Sequence, residues 1–314
     1  MKTKTSLVFI YLLFLVGCKD SDKEPIPPEE RMFPFHFTIH LEKEILPFPK
    51  VTRSMPPFDM PEPVANDNGN TEEKEFNELC NTIEYIVYKE GETDKTVRYE
   101  TFTSEEDMDF GIVYDSLPAG TYTIAFLAYK TCVTSLSDGS VSFQQVSDAF
   151  HASFSQEIEA TEEIDKDITL SRVVSKIEFV ATDNVPEGAV KFIMEVTPYP
   201  DLLNICTGEG LASTEEASVF THNFTTEEIG KNKQTHSFFT FVPADDGTFK
   251  VELKAIDSDE QVLRSREVTV TPIKNKIIRY TGKLYSHAPS DDTFELSIHA
   301  NGKWDEPEEK ELED

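Results

Sequence analysis

The 314-residue chain carries 29 basic and 59 acidic side chains, a formal net charge of −30. Such a charge repels phosphate backbones and anionic lipid headgroups, which excludes nucleic-acid binding and polybasic membrane docking. With 38% apolar and 11% aromatic residues the chain is not compositionally disordered, and its length suits two domains of ordinary size.

Lys2 and Lys4 form a short basic start, and an apolar run follows from Ser6 to Val16. A basic start, a short apolar run and a small residue before a cut describe a secretory signal peptide, and the run is too short to span a bilayer. Leu15-Val16-Gly17-Cys18 resembles a bacterial lipobox, in which the cysteine thiol is acylated and becomes residue one. Residues 1–17 are therefore expected to leave as a signal peptide, with 18–30 as a lipidated linker. Lys19-Asp20-Ser21-Asp22-Lys23-Glu24 resembles the acidic signal that sends Bacteroidales lipoproteins to the outer face of the outer membrane. The remaining cysteines are Cys80, Cys132 and Cys206, an odd number in a disulfide-permitting compartment. None lies in a CxxC pair, so zinc and redox motifs are absent from the sequence.

The first element is a strand. Phe33, Phe35, Phe37, Ile39 and Leu41 alternate with Pro34, His36, Thr38 and His40, a period of two with one apolar face. A Pro-rich stretch from Glu42 to Leu79 follows and reads as an extended excursion, because proline denies a sheet its donors. Strands resume at Ile83 to Tyr88, and Thr96 to Phe102 returns as a hairpin. The tight turn Leu117-Pro118-Ala119-Gly120 launches Tyr122, Ile124, Phe126 and Ala128 on one face. Ser147 to His151 reads as short and irregular, with room for one helical turn, and Glu157 to Asp167 as an acidic connector.

A second set of strands opens near Leu170, where Val173, Ile177 and Phe179 share a face. Phe238 and Thr240, then Phe249, Val251, Leu253 and Ala255, continue the alternation. Asp257 to Glu260 turns the chain into Val262 to Val270, Ile278 and Tyr280 mark a further strand, and Phe294, Leu296 and Ile298 mark the last. Many short strands with turns every roughly 8 to 12 residues predict an all-β protein built of sandwiches. The domains are expected at 31–165 and 166–304, with an excursion at 42–79 and an acidic tail at 305–314.

The residues that could carry chemistry read more plainly. His36 and His40 lie four apart on a strand, about 13 Å from each other along it, too far to share a metal. They read as polar edge residues. Asp107 to Gly111 and Asp257 to Glu260 lack the twelve-residue calcium loop with its closing glutamate and read as solvated turns. Gly208-Glu209-Gly210 lacks the third glycine of a phosphate loop. Cys206 has no partnering-histidine signature and reads as a small hydrophobe. No G-x-S-x-G elbow appears, so no catalytic site, cofactor or metal is assigned. Arg172 and Lys176 fall opposite Ile177 and Phe179, where solvent contact or local ion pairing is expected. Cys80 precedes the Ile83 strand and Cys132 follows the Ala128 strand, so antiparallel neighbours could bring the two into a disulfide.

Several of these segments occur in a telling order. The lipobox, Leu117 to Tyr122, Asp148 to His151, Leu170 to Ile177, Asn275-Lys276 and Tyr280 to Tyr285 together resemble the fimbrillin-like lipoproteins of Bacteroidales, especially the anchor-type minor fimbrial subunits. The resemblance spans roughly residues 30 to 300. It implies two tandem transthyretin-like Greek-key β-sandwich domains and a role in surface pili or adhesion. It also implies β-strand addition between subunits, whose main-chain hydrogen bonds give affinity and whose side-chain pockets give register. The expected partners are a membrane reached through lipid on Cys18, other fimbrial subunits, and a glycan or host-surface ligand. The competing reading is a surface glycan-binding lipoprotein of a nutrient-uptake system.

Overall fold

The computed structural model describes residues 31–42, 79–130, 134–159, 164–214, 216–244, 247–286 and 294–300. The expected signal peptide, the lipidated linker, nearly all of the Pro-rich excursion and the acidic tail lie outside these residues. Nineteen strands are present among them, and the protein is all-β as the alternation predicts. The first set is β1 (Met32–Leu41), β2 (Thr82–Lys89), β3 (Glu92–Thr103), β4 (Ile112–Pro118), β5 (Gly120–Tyr129), β6 (Thr134–Ser137), β7 (Ser140–Phe143), β8 (Ala149–Ile158) and β9 (Ile164–Arg172). The next are β10 (Val174–Ala181), β11 (Ala189–Thr197), β12 (Leu202–Asn204), β13 (Glu209–Leu211) and β14 (Ser218–Asn223). The last are β15 (Thr235–Phe241), β16 (Phe249–Asp257), β17 (Val262–Val270), β18 (Lys276–Gly282) and β19 (Glu295–Ala300).

The first half is one seven-stranded sheet in the order β3-β2-β5-β8-β9-β1-β4. The join between β8 and β9 is only two residue pairs long, Phe150 with Arg172 and His151 with Ser171. The sheet folds over at that narrow join, because side chains from its two ends meet in one core. Phe37 of β1 meets Phe126 of β5 edge-on at 5.7 Å, and the Tyr85 hydroxyl of β2 donates to Asp115 of β4. Phe35, Phe37 and Ile39 are all buried there with Ile83, Val87 and Ile124. Fully burying such side chains contributes roughly 1.5–3 kcal/mol each.

β2 and β5 are buried on both faces. Tyr85, Val87, Ile124 and Phe126 enter the first core, whereas Ile86, Tyr88, Leu127 and Tyr129 enter a second one. The second core lies between the sheets β15-β10-β18-β19 and β14-β11-β16-β17. Phe179 stacks on Tyr280, and Phe220 stacks on Phe238. The two cores are thus separated by a single layer of strands, and the halves share an apolar contact.

A fourth sheet, β13-β12-β7-β6, draws two strands from each half. Its Phe143 touches Tyr129 of β5 at 5.4 Å and Phe241 of β15 at 5.0 Å, both edge-on. Gly210 in β13 bridges to Pro243, and a Cβ there would sit 2.7 Å from the Phe241 Cβ. That close approach explains one glycine of Gly208-Glu209-Gly210 without any phosphate.

Three expectations change in detail. The segment opening at Ala149 is the start of strand β8, with no helical turn. Its Phe150 and His151 pair with β5 across Ala128 and Leu127, and that pairing holds them extended. The acidic stretch 157–167 contains the end of β8 and the beginning of β9. The expected domain division at 165/166 falls inside β9, which pairs in parallel with β1 from Ile164 to Leu170.

Candidate interaction surfaces

Strand edges are the first candidate surface, because unpaired backbone donors and acceptors are a template for another chain. β1 offers none, since β4 lies on one side and β9 on the other. The ends of the sheet orders are β3 and β4 in the first half. In the second half they are β15 with β19, and β14 with β17. Among the described residues β14 pairs with β11 alone, and Val219 on it is 58% exposed. Among the described residues β19 pairs with β18 alone, and Phe294 just before it packs half-buried against the second core with Leu296 and Ile298.

The joint between the halves is built on Arg172, the last residue of β9. Its side chain is fully buried and grips Asp148 with two hydrogen bonds, Nε to Oδ1 at 2.6 Å and Nη2 to Oδ2 at 2.8 Å. Nη1 donates to Asn275 Oδ1 at 3.0 Å, and the guanidinium lies 4.8 Å over the Phe150 ring. Asn275 occupies a left-handed turn at φ 59° before β18, and its N–H donates to the Val174 carbonyl. One guanidinium therefore ties the first sheet to the turn that opens β18. Nearby, His151 Nε2 lies 2.8 Å from the Ile205 carbonyl, and burial lowers its pKa to about 4.

The open side of the second sandwich holds a cleft of about 540 Å3 between β14 and β15. Beneath it, Tyr199 meets Phe220 edge-on at 5.2 Å. The Tyr199 hydroxyl is fixed, accepting from Val146 N–H and donating to the Phe239 carbonyl. At one end His236 is buried, stacked on Phe192 at 4.1 Å and hydrogen-bonded to the Tyr285 hydroxyl at 2.6 Å. Its pKa is lowered to about 3 by burial and then by His222. His222 faces Glu228 at 3.1 Å. Among the described residues no group of three His, Cys, Asp or Glu side chains is placed to hold a metal ion.

A family model described as a family of unknown function (DUF6562) matches residues 65–313. The chain belongs to the DUF6562 family. No curated protein matches it. Among solved structures, a candidate adhesin from Bacteroides ovatus aligns with a TM-score of 0.51 at 15% identity, covering 82% of this chain and 88% of that one. A second candidate adhesin from Bacteroides ovatus gives 0.49 at 8%, covering 89% and 96%. The fimbrial anchor protein Mfa2 from Porphyromonas gingivalis gives 0.47 at 10%, covering 87% and 99%. The first of these shows that this DUF6562 member shares the fold of a Bacteroidales candidate adhesin.

In this DUF6562 chain the sequence-selected residues separate widely. Cys18 and Cys132 lie outside the described residues. Cys80 is a buried free thiol, and burial pushes its pKa up. Cys206 is half-buried against the second core, and burial raises its pKa too, so neither is disposed to act as a thiolate. His36 and His40 stand on the solvent side of an interior strand, where they pair with Asp165 at 2.8 Å and Asp167 at 3.1 Å. They are therefore not edge residues. The turn 107–111 leaves Met108 fully exposed, and Asp107 accepts from the Thr103 N–H. Asp257 likewise closes its own turn through the N–H groups of Asp259 and Gln261.

Arg172 and Lys176 are buried, which corrects the expectation of solvent contact; ion pairing is what remains of it. Lys176 meets Glu178 at 2.7 Å. Burial pushes Glu178 up, but Lys176 and Arg279 outweigh it and hold the carboxyl below its usual range. The cleft between β14 and β15 was not legible in the sequence, because its walls come from four separate segments.

Proposed function

We propose that the protein is a lipid-anchored cell-surface subunit or anchor of a fimbria or related adhesin, tethered through Cys18 and contributing to adhesion. The observation that carries this reading is the placement of β1. It follows the proposed lipid site within a short linker, it is flanked by strands on both sides, and it buries Phe35, Phe37 and Ile39. A load applied through the lipid would reach the first core directly. Removing β1 would forfeit several kcal/mol of apolar burial, so the lipid end has reason to stay joined to the fold.

The fold supports the adhesin part through its likeness to the Bacteroides ovatus candidate adhesin. Division into two tandem transthyretin-like Greek-key domains belongs to the same proposal, as does placement on the outer face of the outer membrane. With β1 closed on both sides, coupling to a neighbouring subunit falls to the free edges or to the C-terminal strand.

Two experiments test the reading. Cys18→Ala should move the protein from the detergent phase to the aqueous phase in phase partitioning, or stall the precursor. Unchanged partitioning would sink the lipid anchor. Deleting Thr293 to Asp314 should reduce incorporation into sheared surface filaments while membrane attachment persists. Normal incorporation by a truncated chain with an intact unfolding transition would remove the C-terminal strand from the coupling.

A further inference from the structure

The cleft between β14 and β15 continues into a second one of about 310 Å3 beside β6 and β7, and Gln144 lines both. Their chemistry departs from the rest of the surface. Charged residues make up 28% of the chain, yet among the described residues no Lys, Arg, Asp or Glu lines the larger cleft. The smaller has one carboxylate, Asp201, and Ser213 occupies both its oxygens through its N–H and its hydroxyl.

Hydrogen-bonding groups stand free along the groove. Gln144 and Gln145 are exposed, and their amides have no hydrogen-bond partner among the described residues. Ser218, Thr221, Thr235 and Ser237 are lining residues of the same cleft, and their hydroxyls have no hydrogen-bond partners among the described residues. Each amide offers both donors and an acceptor, and each hydroxyl offers one donor with acceptor lone pairs. Beside them the half-buried Phe220 ring, held by Tyr199 and Phe238, supplies a rigid apolar surface.

Among the described residues the larger cleft offers a charged ligand no Lys, Arg, Asp or Glu, its His222 is paired with Glu228, and both oxygens of Asp201 in the smaller cleft are taken by Ser213. A purely apolar ligand would bury amides and hydroxyls without partners, which is costly. A neutral ligand with many hydroxyls meets both conditions, exchanging hydrogen bonds with the amides and laying C–H faces on the ring. We infer that this groove binds a neutral oligosaccharide. The extent of the paired clefts, joined at Gln144, suits several sugar units better than one.

The test uses the mature, detergent-solubilised protein on an array of neutral, sulfated and sialylated oligosaccharides. Titration calorimetry with the strongest neutral binder follows. Neutral glycans should bind, and sulfated or sialylated ones should not surpass them. The double change Gln144→Ala with Gln145→Ala should weaken that binding on the order of tenfold. Its unfolding midpoint, membrane attachment and filament incorporation should be unchanged, so the result is separable from the anchor reading. Absence of neutral binding, preference for charged glycans, or an unaltered affinity in the double variant would overturn the inference. Loss of filament incorporation in a variant that never bound glycan would overturn it as well, and would assign the groove to a protein strand.

Discussion

Replacing Arg172 with methionine is expected to lower the unfolding free energy by about 3–5 kcal/mol, the usual cost of breaking a buried pair from one side. The side chain is fully buried and holds both oxygens of Asp148. Methionine fills much of the volume but leaves that carboxylate without its cation. It also leaves Asn275 without its donor at the turn before β18. The companion double variant, Arg172→Met with Asp148→Asn, should recover part of the loss, because no unpaired charge then remains. Urea unfolding of the three variants against the parent measures the coupling. A single-variant loss below about 1 kcal/mol would mean that the buried pair contributes little beyond what its desolvation takes away.

Acidification is the second large effect. His151 and His236 ordinarily titrate near 6.5, and burial lowers them to about 4 and about 3 in the folded protein. Below pH 6.5 the unfolded chain takes up two protons that the folded chain refuses until much lower pH. Stability from these groups is therefore complete above pH 6.5 and declines as the pH falls toward 4 and 3. By pH 4.5 the loss should reach roughly 2 kcal/mol from each histidine. The net charge relaxes over the same range toward a pI near 4.5, which lessens self-repulsion and works the other way. His236→Phe separates the two, since it keeps an aromatic ring against Phe192 but cannot bind the proton. Its urea midpoint should fall less steeply between pH 7 and 4.5 than that of the parent. Parallel curves would mean that His236 is protonated without penalty.

Much of the architecture is legible along the chain. Phe33 to Leu41 alternates strictly because β1 has one face on the first core and the other toward solvent, where His36 and His40 sit. The strands at Phe249 and Val262 are legible for the same reason. Ile83 to Tyr88 is legible as a strand, but the fact that both its faces are buried is not. A run of tyrosines and β-branched residues satisfies either setting, and only the second sandwich supplies the other core. The strands between Ala189 and Asn223, and those of the fourth sheet, are not legible. Pieces such as Leu202–Asn204 are too short to show a period.

The sites divide along the same line. The proposed lipobox around Cys18 is a contiguous pattern, so residue order alone displays it. All-β character also follows from residue order, because a period of two and frequent turns are local properties. Arg172 is different: its charge predicts a solvated or locally paired side chain, yet its partners are 24 and 103 residues away. His236, likewise, owes its low pKa to Phe192, His222 and Tyr285, which arrive from three other segments. The neutral groove at Gln144 exists only once β14 and β15 face each other across the open side of the sandwich. Short-range order determined the strands and the proposed tether. Packing of distant strands decided which charges are buried, which edges are closed and which polar groups are left free, because burial depends on neighbours that the chain brings in from afar.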